Sequence, residues 1–167
     1  MNNLYKFRQL KDNDIKEVLR IYNFHIINGL GNFEEKPLAY KSFHKLCKNI
    51  LNEKLPFIIC LKDKKILGFS FLSKFRNKSG YKFSFENSIY VEFKNMGMGI
   101  GNLLLKELIK QSSKNKNIKT IIAVIGNNST QSIKIHKKNG FKKIGILKKI
   151  GFKNNKWLDT IYMQKIL

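Results

Sequence analysis

Three glycines alternate in the segment Met96-Gly97-Met98-Gly99-Ile100-Gly101. The segment lies between Lys82–Val91, which alternates like a strand, and Ile100–Ser113, which has helical periodicity. Glycine lets the backbone approach an anion closely and take φ > 0. A helix start adds unpaired N–H groups and roughly half a positive charge. Strand, loop and helix together suit a phosphate or diphosphate, although the same glycines also suit a tight, closely packed turn. Two better-known glycine signatures do not fit. A nucleotide-triphosphate loop needs Gly-Lys-Ser/Thr, and Gly101 is followed by Asn102-Leu103. A dinucleotide fingerprint follows the first strand of a βαβ unit, whereas this loop is mid-chain after a polar-rich strand.

The elements that must hold this loop can be read from periodicity. In Lys82–Val91, Phe83, Phe85, Ile89 and Val91 share one face. Ser84, Glu86, Ser88 and Tyr90 share the other, so Glu86 is a carboxylate on a polar strand face next to the loop. The helix after the loop carries Ile100, Leu103, Leu104, Leu108 and Ile109. Upstream, Leu4–Leu10 reads as a strand. A helix capped by Asp12 or Asp14 runs to about Ile27 with Ile15, Val18, Leu19 and Tyr22 inward. Asn28–Asn32 is a loop, and Pro37 opens a second helix with Phe43, Leu46, Cys47, Ile50 and Leu51. Pro56–Lys62 and Lys65–Phe75 form two strands around an Asp63-Lys64 turn. Downstream come a strand over Lys119–Ile125 and a helix over Ser129–Asn139 closed by Gly140. Two further strands follow, near Phe141–Lys149 and Asp159–Ile166. The order predicts one mixed domain of the α+β or α/β kind, spanning residues 1–167.

Composition narrows the class. The chain has 167 residues, 33 Lys+Arg against 11 Asp+Glu, and a net charge of +22. It is 43% hydrophobic with 13 Phe, too apolar for a disordered basic tail. The charge invites a nucleic-acid-binding reading. Yet the basic residues are spread along the chain, and only Arg8, Arg20 and Arg76 are arginines. Base readers favour the arginine fork. Lys, Asn and Ile dominate and share A/T-rich codons, so genome composition accounts for the charge and nucleic acid is not the expected partner. No run is long and apolar enough for a membrane helix. The N-terminus lacks a signal-peptide core, so a cytoplasmic location without membrane partners is the expectation. Cys47 and Cys60 are too few for a disulfide framework or a zinc site, and no metal is expected.

The glycine segment resembles the diphosphate loop of the GNAT superfamily of N-acetyltransferases, whose pattern is Gln/Arg-x-x-Gly-x-Gly/Ala. Met96 stands where the family has Gln or Arg, and neighbouring Lys94 offers charge. Ser132-Ile-Lys-Ile-His136-Lys-Lys-Asn-Gly140-Phe141 is similar to the family's Ser-x-x-Leu-Tyr/His-x-x-x-Gly-Phe helix. Within the superfamily the chain resembles the phosphinothricin and methionine sulfoximine or sulfone acetyltransferase branch. The landmarks are Ile21-Tyr22-Asn23, Asn32-Phe33, Arg76, Tyr81, Glu86-Asn87-Ser88-Ile89-Tyr90-Val91, Ala123–Gly126 and Gly151-Phe-Lys-Asn-Asn-Lys-Trp157-Leu-Asp159.

The resemblance implies a fold with a mostly antiparallel mixed sheet of about six or seven strands, splayed at the cofactor site and flanked by about four helices. It implies acetyl-CoA as cosubstrate and direct acetyl transfer to the α-amine of a small amino-acid-like acceptor. Glu86 takes the place of the base that removes the amine proton. His136 takes the place of the residue that protonates the leaving thiolate when charged, or helps deprotonate the amine when neutral. Ile89, Tyr90 and Val91 would bind the pantetheine arm through the strand backbone, with Val91 or a neighbour donating to the oxyanion. Met96, Gly97, Met98, Gly99, Ile100 and Gly101 would hold the diphosphate. Asn128, Ser129, Ser132 and His136 would flank the arm; Ser129 replaces the family's Asn. Phe33, Arg76, Tyr81 and Glu86 would form the acceptor site, with Arg76 forked onto a carboxylate or phosphinate. Trp157 and Asp159 read as structural or interface residues, and relatives are commonly homodimers. A protein N-terminus is the alternative acceptor. An aminoglycoside polycation would be repelled by the net charge of +22.

Overall fold

Alternation and helical periodicity along the chain resolve into seven strands and four α-helices among the described residues, 4–126 and 129–167 of a computed structural model. In order they are β1 (Lys6–Gln9), α1 (Ile15–Asn28), α2 (Tyr40–Asn52), β2 (Phe57–Lys62), β3 (Lys65–Lys74), β4 (Ser84–Val91), α3 (Ile100–Ser112), β5 (Thr120–Gly126), α4 (Thr130–Lys138), β6 (Lys142–Lys153) and β7 (Lys156–Ile166). The strands form one sheet in the order β1-β2-β3-β4-β5-β7-β6. All neighbours are antiparallel except β4 and β5. No described helix is long and apolar enough to cross a membrane.

Strand alternation assigns the helices to faces. Ser70 and Gly68 of β3 face α3, where the Ser70 hydroxyl donates to Leu104 O. A Cβ on Gly68 would meet the Tyr90 carbonyl at 2.6 Å and a Leu104 methyl at 3.1 Å, so glycine is needed for this close packing. Phe69 and Phe71 point the opposite way, toward α1, and stack with Phe57 of β2 and Tyr90 of β4. Tyr22 of α1 bridges Phe43 of α2 and Tyr90. The core therefore lies on both sides of the sheet.

The register explains the cleft. β3 and β4 pair from Gly68↔Val91 to Lys74↔Phe85. β4 and β5 pair only at Ser84↔Thr120, Phe85↔Ile121 and Glu86↔Ile122, and then part. β5 continues along β7 to Gly126↔Thr160. The sheet thus splays beyond Glu86.

Several sequence expectations shift. The helix expected from Pro37 starts at Tyr40. The polar-faced strand starts at Ser84, leaving Phe83 exposed ahead of it. In α3 the buried set is Ile100, Leu104, Leu105 and Leu108; Leu105 is sealed, and Leu103 only partly so. The largest change is at the end of the chain. The last two strands run to Lys153 and start at Lys156, forming a long hairpin around Asn154-Asn155. Both asparagines take positive φ, 50° and 57°, which a two-residue hairpin turn requires and Asn tolerates. Asp63 and Lys64 do the same at the expected turn.

Candidate active site

Where β4 and β5 part, a cleft of about 610 Å³ opens. Its walls come from β4 (Glu86–Tyr90), β5 (Ala123–Gly126), the α1 face with the loop after it, and the start of α4. The β4 backbone is polarised toward it. Glu92 N–H donates to Leu67 O and Phe75 N–H donates to Ser84 O, so even-numbered β4 residues bond to β3. Antiparallel alternation then turns the peptide groups of Asn87, Ile89 and Val91 toward the splay. The Val91 carbonyl is taken by His25, whose Nε2 lies 2.7 Å away.

Glu86 lines the cleft. Burial raises its carboxyl to about 6, while the positive charge of Arg76 acts in the opposite direction. A carboxyl tuned there ionises just below neutral pH and can still accept a proton.

His136 is 3% exposed and packs edge-on against Phe141, 4.9 Å between ring centres. Nδ1 lies 2.7 Å from the Ser132 carbonyl and 3.4 Å from its hydroxyl. A carbonyl only accepts, so Nδ1 carries the proton and Nε2 is the acceptor. Nε2 lies 3.0 Å from the Asn87 amide nitrogen, which donates. Burial lowers the ring's pKa, the Ser132 carbonyl opposing, and this favours the neutral form at pH 7. Asn87 is 7% exposed, and its Oδ1 is buried with no partner among the described residues. An orphan acceptor in a cleft wall costs stability unless a bound molecule supplies a donor.

The other expected residues fall into three groups. Phe33, Ile89, Tyr90, Ser129 and Ser132 join Glu86 and His136 in the walls. Ser129 caps α4, its hydroxyl accepting from Ser132 N–H. Asn128 lies outside the described residues. The glycine loop stands at the far end of β4. Gly97 and Gly99 take φ of 82° and 80°, with open space beyond them, and Gly99 is the cap of α3. Met96 and Met98 are exposed, and the Ile100 side chain is core. Gly101 instead faces Val91 and Ile135, whose methyls a Cβ would meet at an ordinary 3.7 Å. Arg76 and Tyr81 are not brought into the walls. Both are exposed near the start of β4, Arg76 4.7 Å over the Phe75 ring and Tyr81 edge-on to it.

Residues outside the sequence expectation complete the site. Tyr22, His25, Asn32, Glu34, Asn87 and Ser88 all line the cleft. Asn32 donates to the Tyr90 hydroxyl at 3.1 Å. His25 stands three residues after inward-facing Tyr22 on a helix, a spacing that puts both on one side. Asn87 is a polar residue in the middle of an otherwise apolar strand face, which marks it as partnered. Cys47 and Cys60 are buried, and burial pushes their thiols up to about 12 and about 11. Neither is a reactive nucleophile. No metal-binding cluster of side chains occurs among the described residues.

A sheet splayed between one parallel strand pair, with a glycine loop at the following helix, defines an acetyltransferase of the GNAT class. Residues 7–162 match the acetyltransferase (GNAT) domain family, and the chain belongs to it. Its similarity extends to a particular branch. A phosphinothricin N-acetyltransferase from Alcaligenes faecalis is 32% identical over 160 residues, 96% of this chain and 81% of that protein. An L-methionine sulfoximine/L-methionine sulfone acetyltransferase from Pseudomonas aeruginosa is 26% identical over 152 residues, 90% and 88% of the two chains. The crystal structure of a phosphinothricin acetyltransferase from Sinorhizobium meliloti with acetyl-CoA superposes with a TM-score of 0.93 at 32% identity, covering 98% and 89%. That of a ribosomal-protein-alanine N-acetyltransferase from Brucella melitensis gives 0.94 at 31%, covering 97% and 99%.

Proposed function

We propose that residues 1–167 form one catalytic domain that transfers acetyl from acetyl-CoA to the α-amine of a small amino-acid-like acceptor of the phosphinothricin or methionine sulfoximine type. The observation that carries this reading is Glu86, with its pKa raised to about 6, in the wall of a cleft opened by the β4–β5 splay.

The residues present fit the cosubstrate. Gly97 and Gly99 present a left-handed backbone to open space, and the first N–H groups of α3 lack intrahelical acceptors. Together they suit a diphosphate. The Asn87 and Ile89 carbonyls and the Ile89 and Val91 N–H groups, beyond the last β4–β5 pair, offer strand-like bonds to the amides of the pantetheine arm. When bound, acetyl-CoA supplies a thioester carbon for the amine to attack.

Glu86 then has one task. An ammonium has no lone pair, so the carboxylate takes a proton before or during attack. The N–C bond forms as the C–S bond breaks, and CoA leaves as a thiolate that takes the amine's remaining proton, directly or through water. The N–H groups of Ile89 and Val91 suit the charge that develops on the carbonyl oxygen. His136 has no acidic proton to spare, because Nδ1–H is bound to Ser132 O and Nε2 to Asn87. The geometry therefore disfavours the charged, acid role and supports a neutral ring that fixes Asn87. Tyr22, Phe33 and Tyr90 give the acceptor side an apolar wall. Arg76 stands outside that wall, but its field reaches Glu86, which suits an acceptor carboxylate bound beside the base.

The same sheet supports a homodimer. β6 is an edge strand of 12 residues, and the hairpin exposes Ile144, Ile150, Phe152 and Trp157, the last 62% exposed. A long apolar edge is normally covered, and a second copy of this chain is the proposed cover. A cytoplasmic location accords with this chemistry and with acetyl-CoA as substrate.

One finding favours a second acceptor, the N-terminal alanine of a protein. It is the likeness to the Brucella melitensis structure described above. Purified protein with acetyl-CoA, phosphinothricin, methionine sulfoximine, methionine sulfone or an alanine-initiated peptide tests both. CoA thiol release with the amino-acid analogues supports the first reading, release with the peptide alone supports the second, and no release with any overturns both.

A further inference from the structure

The Gly151–Asp159 segment takes no part in the chemistry above, yet it contains the least exposed charged side chain among the described residues. Lys153 is 1% exposed. It alternates with Phe152, which points outward and packs on Trp157 across the hairpin. Its ammonium donates to the Ile26 carbonyl at 2.7 Å and to the Asn32 carbonyl at 2.6 Å. Ile26 lies in the last turn of α1, where carbonyls lack intrahelical partners and the helix end carries partial negative charge. A cation fits there.

Asn32 belongs to the loop after α1, and this loop is a cleft wall. The loop is tied down at several other points. Asn32 donates to the Tyr90 hydroxyl, and Asn32 Oδ1 accepts from Glu34 N–H. Phe33 is wedged against two glycines. A Cβ on Gly151 of β6 would meet the Phe33 ring at 2.6 Å, and one on Gly126 of β5 would meet it at 3.2 Å. Lys153 and Gly151 bring the β6–β7 hairpin onto the same loop.

We propose that Lys153 is a positioning residue for acceptor binding. It clamps the loop 29–35 to the β6–β7 hairpin, so that the hairpin sets the wall against which the acceptor fits. This rests on the reading of the cleft as the amine-acceptor site. The clamp acts through Asn32 and Phe33 and touches neither the glycine loop nor Glu86. It therefore governs acceptor affinity and leaves cosubstrate binding and the chemical step alone.

Lys153→Met keeps the unbranched stem, one atom shorter, and removes its donors. The acceptor KM is expected to rise tenfold or more, while the acetyl-CoA KM and kcat stay within twofold. An unchanged acceptor KM, or a parallel loss in every parameter, overturns the clamp. Gly151→Ala keeps Lys153 and presses on Phe33. If Lys153→Met fails to fold, an acceptor-only KM change in Gly151→Ala upholds the hairpin's control of the wall, and no change overturns it. Amide hydrogen exchange separates this inference from the acceptor reading. If the wild type turns over no amino-acid-like amine, that reading fails, but the clamp still predicts exchange at least tenfold faster across residues 29–35 in Lys153→Met, with β2 and β3 unaltered. Equal exchange in the loop overturns the clamp.

Discussion

The two halves of the sheet use the same chain chemistry to opposite ends. In the β2–β3 half every strand is paired, and Phe57, Phe69 and Phe71 stack with ring centres 5.0–6.3 Å apart. What is buried there is almost wholly apolar. In the β4–β5 half, pairing stops after three residue pairs. There the chain buries a histidine, an asparagine with an orphan oxygen, and a carboxyl raised to about 6. The unpaired oxygen and the buried carboxyl cost stability, whereas the histidine is packed on Phe141 with both ring nitrogens bonded. The closed half supplies the cohesion that lets the open half hold groups in states suited to chemistry.

This contrast fails if the halves cannot be perturbed separately, and the largest expected effect tests that. Phe57→Ala empties a fully buried site in the closed half. It is expected to cost about 3–5 kcal/mol in urea unfolding. The folded fraction should keep its acceptor KM within about twofold, since Phe57 lies outside the cleft walls. A large KM change would show that the aromatic stack reaches the cleft through Phe69 and Tyr90.

Glu86→Gln is the mirror experiment. Turnover is expected to fall on the order of 100-fold, within the usual range for loss of a general base. The wild-type rate should climb as pH rises through about 6, where Glu86 ionises, and that limb should be absent in the variant. Stability should move the other way. The folded pKa of Glu86 is raised, so its ionisation opposes folding. That penalty is absent below the ordinary value of 4.5 and complete above about 6. Above pH 6 the variant should therefore be more stable, by about 2 kcal/mol. Thermal melts of both proteins at pH 4 and pH 8 measure the difference, and a gap between variant and wild type that is the same at both would remove burial as the origin of the raised pKa.

Local signals reveal the open half better than its boundaries. Alternation alone puts Glu86 on a polar strand face, and the glycine spacing marks the start of α3. The histidine of α4 stands in a recognisable run, although only the structure shows both ring nitrogens engaged. The proposed acceptor wall is less legible because its parts come from distant segments. His25 meets Val91 across 66 positions, and Lys153 meets Asn32 across 121. No local period encodes such contacts. Arg76 and Tyr81 show the converse. They have the right residue types for an acceptor site, but the turn before β4 leaves them outside the walls. The hairpin extends past the expected strand ends, near Lys149 and Asp159, because Asn154 and Asn155 both take positive φ and close it as a two-residue turn.

The glycine loop gives the finer comparison, between glycines needed for backbone shape and one that is not. Gly99 caps α3 at φ 80°. An alanine there pays about 1–2 kcal/mol for the left-handed conformation, or the loop rearranges. Strain held in place lowers stability alone; the expected outcome is that the free loop rearranges and must be restored on binding, which weakens acetyl-CoA binding up to roughly tenfold by calorimetry. The acceptor KM should not move, because Gly99 is outside the acceptor walls.

Gly101 should behave differently. It already lies within α3, and its position has no positive φ. A Cβ there would meet the Val91 and Ile135 methyls at 3.7 Å, an ordinary contact. Alanine is also the better helix former. Gly101→Ala is therefore expected to change acetyl-CoA affinity by less than about twofold and to leave stability level or slightly higher. A loss as large as that of Gly99→Ala would mean that the diphosphate presses on the Gly101 Cα itself. The cradle would then reach one residue deeper into the helix than the backbone shape alone requires.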